Sequence, residues 1–315
     1  MMHSQTKAFL DDCEGKAKYD AQAKRLFRHK ELCAPILKMV VPEYKDCTIE
    51  EIIAMIEAIA YEVVPVSDIK EKNLSDIDPI IQGENVEDKS PYEKLIFFDI
   101  KFKSLNPMLS HDFSHIYLFI DLEIQKTYTT GYPIIKRGLY YAARSISRQL
   151  ELATNSTNYN KISKVYSIWI CNDNVPEELE NTLTRYRIQK EDVIGTVKEP
   201  ISDYDLMEVI IIRCGKKASD AGIFQYLEGV FEGDIKRIQD YSNVKWPKEI
   251  QEEVLALYGA GAALVRKAEE RTEERLIKKM ATKMIRTNKS HREIAEFLEI
   301  PLNEVEKIAA ELNNN

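Results

Sequence analysis

The chain of 315 residues has few cysteines and no long apolar run. Its five cysteines include no CxxC pair, so the sequence indicates neither a zinc site nor a disulfide framework, and the expected compartment is a reducing cytoplasm. No apolar run is long enough to span a membrane. The first residues lack the apolar stretch of a secretory signal, so we expect neither secretion nor a membrane partner.

The chain lacks an excess of positive charge. The chain has 44 Lys and Arg residues against 52 Asp and Glu residues, which gives a net charge of −8. This balance argues against a protein whose whole surface binds nucleic acid, but it allows a local basic groove. With 44% hydrophobic and 30% charged residues, the composition predicts a globular protein with one large domain or two smaller ones.

Two runs rich in β-branched and aromatic residues, at positions 95–102 and 116–125, predict strands. The segment between them is polar and contains Asn106-Pro107, which favours a turn. The simplest arrangement is therefore an antiparallel hairpin. Because side chains alternate along a strand, Asp121, Glu123 and Gln125 share one face of the second run.

Asp99, on the first run, is expected near Glu123 if the register of the hairpin allows it. A carboxylate on each of two neighbouring strands gives the oxygen ligands that suit Mg²⁺. Such an ion can activate water and stabilise charge on a phosphate. The alternative, from the residues alone, is that these acidic side chains are simply solvated on an exposed sheet face.

A helix is expected directly after the hairpin, at residues 136–144. Basic and aromatic residues recur there and just beyond at steps of three and four, so much of the set forms one stripe: Arg137, Tyr140, Tyr141, Arg144 and Arg148. Arginine and tyrosine together suit contact with phosphate. Alternatively, the tyrosines pack on the sheet and the arginines are solvated.

Asp99, the Glu123-Ile124-Gln125 segment and this helix together resemble the PD-(D/E)XK nuclease family transposases, which are relatives of the recombination-promoting nucleases. The most specific part is GYPIIKRGLYY at residues 131–141, and the similarity is expected to extend from about residue 20 to the C-terminal helices. The resemblance implies an α/β fold with a restriction-endonuclease-like mixed sheet flanked by helices. It also implies Mg²⁺-dependent hydrolysis of DNA phosphodiester bonds.

The resemblance also assigns roles to single positions. Asp99 matches the motif aspartate and Glu123 the acidic residue of the (D/E)XK element, so both are implied to be catalytic and to hold the metal. Gln125 stands at the catalytic position where the motif has lysine, and glutamine can only form hydrogen bonds. This departure leaves open a slow or inactive enzyme. The implied DNA contacts of the following helix are Arg137, Tyr141 and Arg144.

Outside this segment, residues 20–41 predict a helix that Pro35 breaks or kinks. The resemblance makes Asp20 and Glu31 further, weaker metal-ligand candidates, with a helix cap and a surface acid as the alternatives. Residues 164–171 and 205–213 predict strands, and the second is apolar enough to be buried on both faces in a parallel sheet. Residues 175–186 predict a helix that begins near Pro176.

We expect a nuclease-like α/β domain at residues 1–240 and an all-helical region at 241–315. No acidic residue lies between Arg275 and Arg292, and this basic stretch contains the further DNA-contact candidates Lys278, Lys279 and Lys283. Residues 290–308 predict a helix-turn-helix-like hairpin. Because its second helix is mainly acidic, we expect it to serve in packing or homodimerisation rather than in reading bases.

Three hypotheses follow from the sequence. The first is a Mg²⁺-dependent DNA endonuclease linked to mobile elements or recombination. The second is a catalytically degenerate protein that keeps the nuclease fold and binds DNA or a protein partner. The third is a scaffold that acts through its C-terminal helices without nucleic acid. No residue indicates the chemistry of strand transfer.

Overall fold

The computed structural model describes residues 15, 18–19, 21–57, 80–81, 87–88, 96–97, 99–108, 117–125, 128, 131–151, 158–216, 219–242 and 246–313. Contacts divide the chain into two compact units. The larger one is Ala17–Tyr258, and the smaller one includes Gly259–Asn315. Within the described ranges, no helix has both the length and the apolar character needed to cross a membrane.

A mixed five-stranded sheet forms the centre of the larger unit. In sheet order, its strands are β3 Ile100–Leu105, β4 Tyr117–Gln125, β5 Val165–Cys171, β7 Met207–Arg213 and β6 Thr182–Arg187. The pairs β3–β4 and β6–β7 are antiparallel, whereas β4, β5 and β7 are mutually parallel. Two shorter strands pair separately. Within the described residues, these two are β1 Glu87–Asp88 and β2 Ile96–Phe97.

The antiparallel hairpin predicted around Asn106 is confirmed, because Ile100 lies opposite Leu122 and Leu105 opposite Tyr117. The prediction that residues 95–102 form one strand is wrong. Ile96–Phe97 pairs with Glu87–Asp88, and the sheet strand starts only at Ile100. A bend at Asp99 separates the two pieces, and there the backbone N–H donates to a side chain instead of to the ladder.

The two strands predicted after the hairpin are confirmed as β5 and β7, and all seven residues of β5 are buried. The helix predicted at 175–186 is wrong. The segment contains a 3₁₀ turn at Glu177–Leu179 and then β6, which pairs with β7 at the edge of the sheet. The alternation of Thr182, Thr184 and Tyr186 was a strand signal, and pairing with a buried strand outweighed the local helix-start signal.

Helices flank the sheet, as the fold class predicted, so a mixed α/β sheet of restriction-endonuclease-like type with further C-terminal helices is confirmed. Residues 21–26 are also helical. The longer helices are α1 Lys30–Val40, α2 Ile49–Met55, α3 Ile134–Glu151, α4 Gly222–Glu232, α5 Ile235–Ser242, α6 Lys248–Arg286, α7 His291–Phe297 and α8 Leu302–Asn313.

Of the break or kink predicted at Pro35, the break is wrong, because α1 continues through that residue. The chain leaves the helical path earlier, at residues 27–29. Pro35 lies in the second turn of α1, where its missing N–H removes only the hydrogen bond to the carbonyl of Glu31. The interruption at 27–29 therefore separates two short helical pieces, and the first of them contains Lys24.

The C-terminal helices have an apolar core of their own within the smaller unit. Ala281, Ile294, Val305 and Ile308 are buried together, so the end of α6 packs with α7 and α8. Ser290 begins α7 with a capping box, in which its side chain and that of Glu293 each accept a backbone hydrogen bond from the other residue. The predicted pair of helices joined by a turn is therefore confirmed.

Candidate active site

The end of the β3–β4 hairpin brings two carboxylates together. The backbone N–H of Asp99 donates to Glu123 Oε1 at 2.9 Å, and the N–H of Ile124 donates to Asp99 Oδ2 at 3.0 Å. Each carboxylate therefore accepts a hydrogen bond from a backbone N–H on the opposite side of the hairpin. These two bonds extend the hydrogen bonding of the β3–β4 ladder by one step. This exchange fixes both groups, whose side chains are only 12% and 3% exposed. The predicted proximity of Asp99 and Glu123 is a feature of the structure.

Two cations pair with the remaining oxygens of this carboxylate pair. Lys24 Nζ lies 2.7 Å from Asp99 Oδ1, and Arg137 Nη2 lies 3.8 Å from Glu123 Oε2. The four groups come from three separate parts of the chain: the helical turn at 21–26, the hairpin and α3. We call Lys24, Asp99, Glu123 and Arg137 the candidate site; its formal charges sum to zero.

Arg137 is held in one orientation by aromatic neighbours. Its Nε and Nη2 donate to the hydroxyl oxygen of Tyr141 at 3.1 and 2.9 Å, and its guanidinium lies 5.0 Å from the ring centroids of both Tyr141 and Trp169. Burial by itself lowers the pKa of Arg137, but the hydrogen bond to Tyr141 and the charge of Glu123 outweigh it and raise the pKa. Arg137 is therefore a fixed positive charge beside the carboxylates.

Gln125 lies on the same face of β4 as Glu123, two residues further along the strand. Arg137 Nη1 approaches Gln125 Oε1 at 3.5 Å, which is long for a hydrogen bond. Gln125 adds no charge to the site. Lys126, the nearest lysine in sequence, and the side chain of Asp121 lie outside the described residues.

Gly138 allows α3 to lie close against the sheet. A Cβ at this position would stand 2.6 Å from Val209 Cγ1 and 3.0 Å from Trp169 Nε1, so a larger residue would push the helix away. The same face of α3 packs Tyr141 and Ala142 into a buried cluster on β5 and β7. The close approach of the helix sets the position of Arg137, the residue just before Gly138.

Other predicted site residues have different surroundings. Tyr141 is buried, and its hydroxyl serves Arg137, while Arg144 is half-buried on the next turn of α3. Lys279 and Lys283 are exposed on α6, in the smaller unit, and Lys278 on the same helix pairs with Glu311 of α8. Asp20 lies outside the described residues.

The sequence reasoning missed Lys24. Its segment contains five cationic or titratable residues within seven positions, and nothing in their spacing distinguishes the one that reaches Asp99. The distinction comes from packing. Ala23, Leu26 and Phe27 are buried, so the turn is oriented in a way that leaves Lys24 facing the hairpin.

The donor set of the candidate site suits a hard divalent cation. Mg²⁺ is commonly bound through only one or two protein carboxylates, with water and substrate oxygens completing its shell. Asp99 and Glu123 supply such a pair. Among the residues that the structure describes, no group of three or more His, Cys, Asp or Glu side chains is arranged to hold a metal ion. The residues present therefore fit a Mg²⁺-type site with two protein ligands.

Residues 67–208 match the family model described as PD-(D/E)XK nuclease family transposase. The resemblance that the sequence predicted is thereby confirmed, and the matched range contains Asp99, Glu123, Gln125 and the whole of α3. It is shorter than the predicted extent of the similarity, since it excludes Lys24 and the C-terminal helices. No curated protein and no solved structure matches the chain.

Proposed function

We propose that this chain, whose residues 67–208 match the model of the PD-(D/E)XK nuclease family transposases, is a Mg²⁺-dependent DNA endonuclease linked to mobile elements or recombination. The observation that supports this function is the pair of carboxylates of Asp99 and Glu123. They come from adjacent strands, and reciprocal backbone hydrogen bonds hold them in place. Acidic side chains that were simply solvated would hydrogen-bond to water and not to the backbone of the opposite strand.

Asp99 and Glu123 would hold the divalent cation in this proposal. A cation bound there supplies Lewis-acid stabilisation of phosphate charge and lowers the pKa of water. The reciprocal hydrogen bonds keep the two carboxylates from turning away, so little reorganisation is needed on binding. Because the pair is almost fully buried from bulk water, its interaction with a cation is screened less than on an open surface.

Arg137 would bind a phosphate oxygen of the DNA backbone and orient it toward the carboxylate pair. Its guanidinium presents several donors, and the hydroxyl of Tyr141 uses only two of them. Tyr141 and Trp169 fix the plane of the guanidinium, which lowers the conformational entropy that binding costs. Gln125 would orient water or phosphate by hydrogen bonding. Arg144, on the next turn of α3, would contact the DNA backbone.

The test is nicking of supercoiled plasmid by the full chain with Mg²⁺, with EDTA, and with Glu123→Gln. We expect cleavage that needs both the cation and the carboxylate, with a loss of about hundredfold or more in the variant. Glutamine keeps the size of the side chain and its ability to accept the hydrogen bond from Asp99, so the fold is retained. Equal cleavage by Glu123→Gln would show that the activity belongs to another site or another protein.

A second candidate function is DNA binding without cleavage. Two observations favour it: Gln125 is neutral where the motif has lysine, and both carboxylates already have cationic partners within the chain. This function predicts that the protein retards DNA on a gel but cuts no plasmid at any Mg²⁺ concentration. The nicking experiment and a gel-shift assay on the same preparation separate the two functions.

The basic stretch of α6 would add contacts to the DNA backbone. Lys279 and Lys283 are one turn apart and exposed, whereas Lys278 shares its charge with Glu311. Replacing Lys279 and Lys283 with glutamine should reduce the slope of log affinity against log salt by about one for each lost contact. An unchanged slope would make this stretch a solvated helix face. Homodimerisation through the C-terminal helices remains a prediction, which analytical ultracentrifugation tests.

A further inference from the structure

Lys24 occupies a place in the candidate site that the family match does not assign. Its ammonium lies 2.7 Å from Asp99 Oδ1, the carboxylate oxygen that faces away from the backbone of β4. The matched range begins at residue 67, so this contact comes from a part of the chain outside it. The contact brings an amine to a site in which Gln125 stands where the motif has lysine.

The backbone of Lys24 is anchored, while its side chain is partly exposed. Ala23 is 1% exposed and both Leu26 and Phe27 are fully buried, so the helical turn is anchored in the core of the larger unit. The side chain of Lys24 is 44% exposed, in contrast to the 12% of its partner Asp99. A lysine stem has four rotatable bonds, so the ammonium can leave Asp99 without any change in the fold.

Charge balance gives a reason for the ammonium to leave. The candidate site has two carboxylates and two cations, so its formal charge is zero with Lys24 in place. A divalent cation on Asp99 would meet the ammonium at close range, and like charges at such distances repel even near a protein surface. Arg137 cannot yield in the same way, because Tyr141 and Trp169 hold its guanidinium.

We propose that Lys24 is the mobile amine of this site. Its ammonium holds Asp99 while no divalent cation is bound, must be displaced for the cation to bind, and then turns to the phosphate of the substrate. The inference rests on the proposed endonuclease function and adds a residue to it. It places the amine on the helical turn at residues 21–26, opposite the hairpin, rather than on β4.

The deciding experiment measures Mn²⁺ affinity of the full chain without DNA, by calorimetry or by the EPR signal of free Mn²⁺. We expect Lys24→Met to bind Mn²⁺ about fivefold tighter than wild type, the factor that the loss of a half-exposed ion pair allows. Lys24→Arg keeps the charge and should stay near wild type. Arg25→Met is the matched control, because Arg25 is the next residue and pairs with Glu253 instead.

Asp99→Asn in the Lys24→Met background shows where the additional affinity arises. We expect this second change to remove the gain, because the released oxygen belongs to Asp99. Equal Mn²⁺ affinity of Lys24→Met and wild type would overturn the proposal, as would the absence of Mn²⁺ binding in both proteins. A gain that survives Asp99→Asn would also overturn it, because the gain would then come from another site.

Plasmid nicking gives the second measurement. Lys24→Met should cut about tenfold more slowly while binding Mn²⁺ more tightly, and a merely structural role would move both quantities in the same direction. Wild-type-like nicking by Lys24→Met would overturn the assignment of the amine to the substrate phosphate. If wild type itself does not cut, the endonuclease function fails, and the Mn²⁺ titration alone decides whether Lys24 competes with the cation.

Discussion

The sheet has two clusters of buried charge, on opposite faces and near opposite ends of its parallel strands. The first is the candidate site, beside the end of β4. The second, which we call the buried network, lies where β5 and β7 begin. Both combine carboxylates with Lys and Arg at ion-pair distances. The members of the buried network are Glu43, Lys164, Arg185, Asp205 and Glu208.

Lys164 is the centre of the buried network. Its ammonium lies 2.6 Å from Asp205, 3.4 Å from Glu208 and 3.7 Å from Glu43. The hydroxyl of Tyr166 donates to Glu43 at 2.6 Å. Burial by itself lowers the pKa of Lys164, but its hydrogen bond to Asp205 and the surrounding carboxylates outweigh burial and raise the pKa. This lysine is therefore a largely buried cation held by three carboxylates.

The difference between the clusters lies in their cations rather than in their acids. The side chains of Glu123 and Glu208 are 3% and 2% exposed. Lys24, however, is 44% exposed, whereas Lys164 is 13% exposed and surrounded by three carboxylates. A cluster can exchange the ammonium of its lysine for a metal cation only if the ammonium can move out into water. Accessible cations therefore distinguish a candidate binding site from a structural network with similar residues.

Removing the lysine of each cluster should give the largest contrast. Lys164→Met leaves three carboxylates beside a single Arg185, and we expect it to lower the free energy of unfolding by about 3–5 kcal/mol. Lys24→Met should cost less than about 1 kcal/mol, because a half-exposed ion pair contributes little. Urea unfolding of both variants measures the difference. Equal destabilisation would remove the distinction between the two cations.

Exchanging one glutamate in each cluster tests function rather than stability. Glu123→Gln should lose about hundredfold or more in plasmid nicking, because it removes a carboxylate proposed to hold the cation. Glu208→Gln is equally buried, on the opposite face, and should retain the nicking rate of wild type. If both variants lost nicking in proportion to their stability, the carboxylate of Glu123 would have no special role.

Gly138→Ala tests how the sheet positions Arg137 in the candidate site. The added Cβ would meet Val209 at 2.6 Å, so we expect a loss of about 1–3 kcal/mol in unfolding free energy and slower nicking. Gly259→Ala is the control, since no atom lies within 4 Å of its new Cβ. It should instead stabilise α6 by about 1 kcal/mol. A stabilised Gly138→Ala would show that α3 does not need this close approach.

The smallest expected effect is a dependence of stability on pH in the buried network. Burial raises the pKa of Glu208, and the nearby charges of Lys164 and Arg185 offset this only in part. The folded state therefore holds this proton more tightly than the unfolded state. The resulting stabilisation is complete below the unfolded pKa and is lost as the pH rises through the folded pKa.

The test measures the unfolding free energies of wild type and Glu208→Gln from below the unfolded pKa of Glu208 to above its folded pKa. We expect wild type to lose stability relative to the variant as the pH rises, because glutamine does not titrate. A difference that stays constant with pH would mean that the network compensates fully for the burial of Glu208. A difference that changes in the opposite direction would mean that the ion pairs outweigh burial.

Much of the fold could be predicted from local patterns. The runs that became β5 and β7 are mainly apolar because both faces of each strand are covered, and both were predicted as strands. The errors occurred where pairing partners decided the structure. Residues 182–187 became a strand because β7 offered a partner, and the first hairpin strand was interrupted where Asp99 turns out of the ladder.

The sequence by itself determined the type of fold, the resemblance to the family, and the placement of Asp99, Glu123 and Gln125 around one hairpin, because strand alternation and motif spacing are local properties. Only the tertiary structure decided which cations complete the site. Arg137 reaches Glu123 because Gly138 lets α3 approach the sheet, and Lys24 reaches Asp99 because buried neighbours orient its helical turn. Such contacts join residues that are distant in sequence, so they depend on packing, which no local pattern encodes.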